Sequence, residues 1–230
     1  MIISHTPYRI SFFGGGTDYP NWYLKHGGQV LSTTIDKYLY ISCRYLPPFF
    51  EHKLRLVYSV VEECNDASEL DHPSAREVLK FLEISDKVEL HYDGDLPGRS
   101  GTGSSSSFTV GLLNALYSYK GIKVGAKRLA EEAIYIEQKL IGETVGSQDQ
   151  IAAAYGGFNH IKFEKDNSFS VNKVSADKDK ILKLDSNLML FFTGISRYAE
   201  KIAKTYVDDI SKKEMQIKKM SSMVDEGLII

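Results

Sequence analysis

The run "LPGRSGTGSSSSFTVGLLNAL", Leu96 to Leu116, constrains the fold more than any other stretch of the chain. Its first half, with spaced glycines and four consecutive serines, has the composition of a flexible linker. Its second half sets Phe108, Val110, Leu112, Leu113 and Leu116 in the pattern of a buried helix, with nothing between the two. A linker does not normally feed directly into an apolar helix. A Gly-rich loop entering a helix N-terminus makes an anion site instead. Small residues let backbone N–H groups approach oxygens, and the helix dipole adds partial positive charge. The preceding "KVELHYDGD" reads as a strand, which supplies the context such a motif requires. The loop is not a Walker A loop, because Ser104 and Ser105 follow Gly103 where Lys-Ser/Thr would stand. A tight turn with a serine N-cap explains one Ser and one Gly, but not Gly98, Gly101, Gly103 and four serines together.

Around this stretch the chain reads as α+β. "SHTPYRISFF", "QVLSTTIDKYLYISCRYL" and "KLRLVYS" are extended, and "GGGTDYP" is a loop. "HPSAREVLKFLEI" and Gly125–Ile141 are amphipathic helices. "GGFNHIKFEKDNSFSVNKVS" returns to strands around an Asp-Asn turn, "LKLDSNLMLFFTG" contains another, and a long helical stretch begins near Ser196. Strands, then helices, then strands fit α+β better than an alternating parallel sheet. A net charge of −2 and the absence of a long basic block argue against nucleic acid as a partner. No segment has the roughly 20 apolar residues that span a bilayer. Two cysteines without a CxxC, and no basic-then-apolar start, place the chain in a reducing, cytoplasmic setting.

A second observation is independent of the loop. In "GAKRLAEEAIYIEQKLIG" the apolar face carries Ala130, Ala133, Ile134, Leu140 and Ile141, and Glu137 lies on that same face. A carboxylate in an apolar stripe must be paired, protonated or bound to a metal. A salt-bridged Glu at the rim is the plain alternative. Twelve residues on, Asp149 sits in the small-residue stretch "VGSQDQIAAAYGG", where it caps a helix or faces a cleft.

Together these residues resemble the GHMP superfamily of sugar and metabolite kinases. The superfamily's Pro-x3-Gly-Leu-Gly-Ser-Ser-Ala/Ser motif matches Pro97, Gly101, Thr102, Gly103, Ser104, Ser105 and Ser106, with Thr102 for the usual Leu. "RISFFGGGTDY" fits the Arg-x4-Gly-x2-Thr-Asp-Tyr signature of galactokinase-like enzymes at Arg9, Gly14, Thr17, Asp18 and Tyr19. Glu137 and Asp149 reproduce their Glu-x11-Asp spacing. Galactokinases place an acidic residue and a His where this chain has Gly15 and Gly16. "FFGGGTDYP" and "FFTGISRYAEKI" look like the heptose 7-phosphate kinases, while branches acting on fucose or galactose share much of the pattern.

The resemblance implies the GHMP kinase fold. Its N-terminal domain, expected over residues 1–180, is of a kind shared with a ribosomal protein; residues 181–230 are expected to begin a ferredoxin-like C-terminal domain. The superfamily's third Gly-rich motif has no counterpart after Gly194. The chain is therefore expected to be a truncated form. The resemblance further implies ATP and Mg²⁺. Gly98 and the run Gly101 to Ser106 would wrap the nucleotide phosphates, and Ser105 with Glu137 would hold the metal, a hard cation that prefers oxygen ligands. Asp149 would take the sugar hydroxyl's proton, with Arg9 beside it steadying developing charge. Gly15, Gly16 and Asp18 would line the sugar site, with Arg197 or Lys201 as the anchor for a phosphate. The expected activity is phosphorylation of the anomeric hydroxyl of D-glycero-D-manno-heptose 7-phosphate, feeding surface polysaccharide. A non-catalytic sugar-phosphate binder on the same fold and an unrelated mononucleotide module are the alternatives, and a homodimer stays open.

Overall fold

The computed structural model describes residues 1–84, 87–98, 100–191 and 210–229. Its spine is β2 (Gly28–Tyr45), an 18-residue strand rich in β-branched and aromatic side chains. β1 (Ile2–Phe13) runs antiparallel along one edge of it, from Ile2 opposite Cys43 to Phe13 opposite Leu31. The other edge is shared. β5 (Val88–Gly94) pairs with the C-terminal half of β2 and β6 (Phe158–Phe163) with the N-terminal half. β3 (Leu54–Val57) and β4 (Val61–Cys64) extend the sheet beyond β5, and β7 (Phe169–Lys173) extends it beyond β6. All pairings are antiparallel except β3 with β5. This is the α+β architecture expected from the order of elements.

Alternation along the strands turns Leu39, Ile41 and Cys43 of β2, Leu56 of β3 and Leu90 of β5 into the core. There they meet α2 (Pro73–Phe81) and α3 (Ser104–Tyr119). α3 is buried on most of its circumference, with Leu112, Leu113 and Leu116 fully enclosed. That explains why its sequence is apolar almost without interruption. It lies close on β1, because a β-carbon on Gly111 would stand 2.7 Å from Thr6 Oγ1 and 3.3 Å from Ser4 Oγ. Nearer the helix N-terminus, Ser107 Oγ donates to Pro7 O of β1 at 3.0 Å.

Several elements depart from the sequence reading. α1 (Pro20–His26) follows the "GGGTDY" loop directly, with proline in its first turn and Trp22 and Tyr23 buried. The helix expected over Gly125–Ile141 is α4 (Ala126–Tyr135) followed by a π-helical turn, Ile136–Ile141. The wider turn shifts the register. Ile136 and Glu137 point inward, whereas Leu140, expected on the apolar face, is exposed. Of the segment Leu182–Gly194, expected to contain a strand, residues 182–191 are described and form none: α6 (Lys178–Ser186) occupies its beginning and buries none of its side chains, and 192–194 lie outside the described residues. A strand needs a neighbouring edge for its backbone groups, and no described strand adjoins this segment. The helical stretch expected from Ser196 is described from Ile210, as a short 3₁₀ turn and α7 (Glu214–Ile229).

α7 packs on β1 and β2 with Ile217 and Val224 fully buried. Gln29 of β2 fastens it, its Nε2 donating to Ser221 O at 3.0 Å and to Asp225 Oδ2 at 3.1 Å. Val224 in turn lies over Gly14, where β1 ends. Among the described residues no helix is long and apolar enough to cross a membrane.

Gly14 tests this packing. Its φ is +85°, and a β-carbon there would fall 2.0 Å from Gln29 O and 2.7 Å from Val224 Cγ2. Gly14→Ala therefore combines left-handed backbone strain with a backbone collision, and is expected to cost about 3 kcal/mol or more. Gly98→Ala, where nothing lies within 4 Å and φ is not left-handed, should change stability by less than about 0.5 kcal/mol. Urea midpoints of the two variants check the contrast.

Candidate active site

Three chain segments converge where β1, the Gly-rich loop and the helix after Ser147 meet. α3 begins at Gly103, whose left-handed φ of +78° turns the chain from loop into helix. The N-cap position of α3 is Gly103 itself, so no serine stands there to cap the helix. Arg9 of β1 reaches this loop twice. Its backbone N–H donates to Thr102 O at 3.1 Å and its Nη1 donates to Gly101 O at 2.9 Å. The rest of the guanidinium grips Asp149, Nε on Oδ1 and Nη2 on Oδ2, each at 2.7 Å. Asp149 occupies the first turn of α5 (Gln148–Tyr155), a favourable place for a carboxylate. The position a Gly103 β-carbon would occupy is 3.3 Å from Asp149 Oδ2. A side chain on the last glycine of the loop would thus crowd the carboxylate.

Glu137 lies behind α3, fully buried at the π-helical turn. Ser106 Oγ donates to its Oε2 at 2.9 Å, and Gln150 Nε2 donates to the same oxygen at 2.5 Å. Its Oε1 has no hydrogen-bond partner among the described residues. Burial pushes its carboxyl up to about 7, against the partial relief of hydrogen bonds from Thr109, Gln150 and Ser106. The sequence pairs Ser105 with Glu137, whereas the structure brings Ser106 to it and leaves Ser105 exposed. Each residue rotates about 100° around a helix, so only one of two adjacent serines faces Glu137. A buried carboxylate with one free oxygen and a hydroxyl beside it fits a hard divalent cation that completes its shell with phosphate and water.

Asp18 does not stand open to a sugar. It is 1 % exposed, and its carboxylate accepts from Gly16 N–H at 2.9 Å and Gln148 N–H at 3.3 Å. Its own carbonyl accepts from Ser147 N–H at 2.9 Å. Burial, followed by the charge of Asp149, raises its pKa, and the backbone donors offset part of that. Asp18 therefore clamps the "GGGTDY" loop to the start of α5. Thr17, which the sequence reading left without a role, fixes the same loop: its Oγ1 donates to Gly14 O or Gln29 O, each at 2.8 Å, and accepts from Gln29 N–H. Its fit to the signature was the only available signal. Gly15 and Gly16 lie at this loop. Pro97 and Gly98 precede the α3 turn, with nothing within 4 Å of a β-carbon at Gly98. Ser104 begins α3. Arg197 and Lys201 lie outside the described residues.

Loop, ion pair and buried glutamate lie together at one edge of an α+β fold, and sequence comparison gives the family. Residues 57–157 match the model of the GHMP kinases N terminal domain, and the chain carries that domain and the GHMP kinase fold. Among known proteins it is 31% identical over 212 residues to the D-glycero-alpha-D-manno-heptose 7-phosphate kinase of Campylobacter jejuni, covering 87% of this chain and 62% of the relative. It is 25% identical over 209 residues to the galactokinase of Pyrococcus furiosus, with 85% and 54% covered. The chain thus spans less than two thirds of the length of either. Among solved structures, a D-glycero-D-manno-heptose 1-phosphate kinase from Bacteroides thetaiotaomicron superposes with a TM-score of 0.76, covering 96% of this chain and 74% of that one at 24% identity. That likeness speaks to the fold.

The raised carboxyl of Glu137 has a measurable sign. Between the ordinary value of 4.5 and about 7, the folded chain holds a proton that the unfolded chain has released. Its stability therefore falls as pH rises through that window, by on the order of 3 kcal/mol, and is level above it. Glu137→Gln in metal-free protein should remove this slope and raise the urea midpoint at pH 8 above that of the parent. An unchanged slope would show that Glu137 does not titrate there.

Proposed function

We propose that the chain provides the nucleotide- and sugar-binding core of an ATP-dependent sugar kinase. In this reading it phosphorylates the anomeric hydroxyl of D-glycero-D-manno-heptose 7-phosphate. The observation that carries the reading is the Arg9 guanidinium, which holds Gly101 O and the Asp149 carboxylate together. It sets a loop suited to phosphate against a carboxylate suited to a hydroxyl proton. The similarity to a heptose 7-phosphate kinase supports the substrate, and the glycines at positions 15 and 16 support it where galactokinases carry larger side chains. Residues 1–180 are proposed as the N-terminal domain and 181–230 as the first part of the C-terminal one.

Little covalent work falls to a protein in phosphoryl transfer, so positioning and charge neutralisation dominate. The N–H groups of α3's first turn and the loop from Gly101 to Gly103 receive the phosphates of ATP. Arg9 holds Asp149 by two parallel hydrogen bonds, which fixes its carboxylate in orientation and in charge balance. Asp149 accepts the proton of the attacking hydroxyl as that oxygen bonds to the γ-phosphorus and ADP leaves. Glu137, with Ser106 or Ser105, would hold Mg²⁺. When bound, the ion neutralises phosphate charge.

Asp149→Asn is expected to lower the rate of ADP formation by roughly 10²–10⁴, with nucleotide affinity kept. The assay sets heptose 7-phosphate against galactose, fucose and mannose at equal concentration, with ADP formation and nucleotide binding both followed. Equal kcat/KM for an unphosphorylated hexose would withdraw the heptose assignment. Loss of nucleotide affinity in Asp149→Asn with turnover intact would move Asp149 to the nucleotide side.

A further inference from the structure

β1 does not end its work at Arg9. From Arg9 to Ser11 its pairing with β2 is regular, Arg9 opposite Thr34 and Ser11 opposite Ser32. Side chains two apart on a strand share a face, so Ser11 points to the same side as Arg9. Ser11 Oγ is buried and has no hydrogen-bond partner among the described residues. A second such atom lies nearby. Gln148, the residue before Asp149, is 9 % exposed, and its Oε1 is likewise buried without a partner among the described residues. Both side chains flank Gly15. The position a Gly15 β-carbon would occupy is 3.7 Å from Ser11 Oγ and 3.8 Å from Gln148 Nε2.

Leaving buried polar atoms unsatisfied is costly, and native proteins seldom do so without a reason. Two together, one on the strand that carries Arg9 and one on the helix that carries Asp149, fit a ligand that supplies the missing hydrogen bonds. We infer that Ser11 and Gln148 are a hydroxyl-reading pair, with Gly15 between them as the floor of the sugar pocket. They take two hydroxyls of the carbohydrate next to the one that is phosphorylated. This rests on the kinase reading above.

The chemistry of the pair also assigns the orientation of the sugar. A hydroxyl and a carboxamide are neutral and both donate and accept, as sugar hydroxyls do. Asp18 and Asp149 stand close by, and Arg9 already divides its guanidinium between Asp149 and Gly101. A doubly charged phosphate at Gly15 would meet two carboxylates, and Arg9, the described cation beside them, is already paired. The space left by Gly15 therefore accommodates the polyol part of a sugar, and the phosphate of a sugar phosphate points away from it.

The test uses Ser11→Ala and Gln148→Leu in the 230-residue chain. Binding of D-glycero-D-manno-heptose 7-phosphate and of the same heptose without phosphate is measured by calorimetry, beside the melting midpoint of the free protein. Each variant should weaken both sugars by about tenfold and by the same factor, since a hydroxyl contact and not a phosphate contact is lost. The free variants should melt no lower than the parent, because each replaces an unsatisfied polar atom by an apolar one. Unchanged affinity for both sugars overturns the inference, and so does a loss confined to the phosphorylated one. A clear fall in melting midpoint also overturns it, because the side chains would then be structural. If the parent binds neither sugar, the kinase reading fails first and takes this inference with it.

Discussion

The guanidinium of Arg9 is the junction on which the site depends. One side chain joins three elements that are far apart in sequence: β1, the loop before α3, and the first turn of α5. The bidentate geometry matters as much as the charge. Two parallel hydrogen bonds hold a carboxylate in a plane, which a single lysine contact would not do. The backbone of Arg9 adds a further bond to Thr102 O, so the loop is fastened to the strand as well as to the side chain. A substitution at position 9 would release both partners at once.

That junction stands on packing that is not itself part of the site. Gly111 lets α3 lie close on β1, and this sets where the first turn of α3 falls relative to Arg9. α7 supports the same region from further along the chain. Val224 covers Gly14, Gly227 approaches Phe13, and Gln29 ties α7 to β2 while its Oε1 meets His160 Nε2 at 2.9 Å. The loop from Gly14 to Asp18 is thus pinned by Thr17 and Asp18 from within and by α7 from outside. Asp18 shows how one signature residue serves geometry: its enclosed carboxylate holds the backbone on which Gln148 and Asp149 are presented.

Glu137 follows a different logic. Burial makes a charged carboxylate costly, and the donors that reach it leave one oxygen bare. The π-helical turn carries this residue inward, and a run of ordinary α-helix would not place the same set of side chains there. An irregular turn at a functional position is a recurring use of such geometry.

Much of this was legible in the residues. The period-two strands, the apolar α3 and the abrupt change from glycine and serine to leucine fix element type, because alternation and helical spacing are local properties of the chain. The Gly-rich loop and Glu137 were readable from residue type and spacing, whereas Arg9 and the role of Asp149 entered through the resemblance to the GHMP kinases. Which of Ser105 and Ser106 meets Glu137 was not readable, since it depends on a helix rotation set by what α3 packs against. Nor were the π-helical turn, the exposure of Leu140, the enclosure of Asp18 or the bare atoms of Ser11 and Gln148. Each depends on contacts between segments about a hundred residues or more apart, or on a register shift that no local pattern records. The sequence by itself determined the elements and the chemistry they carry. Only the tertiary structure decided which atoms meet, because burial and hydrogen-bond satisfaction are properties of the packed chain.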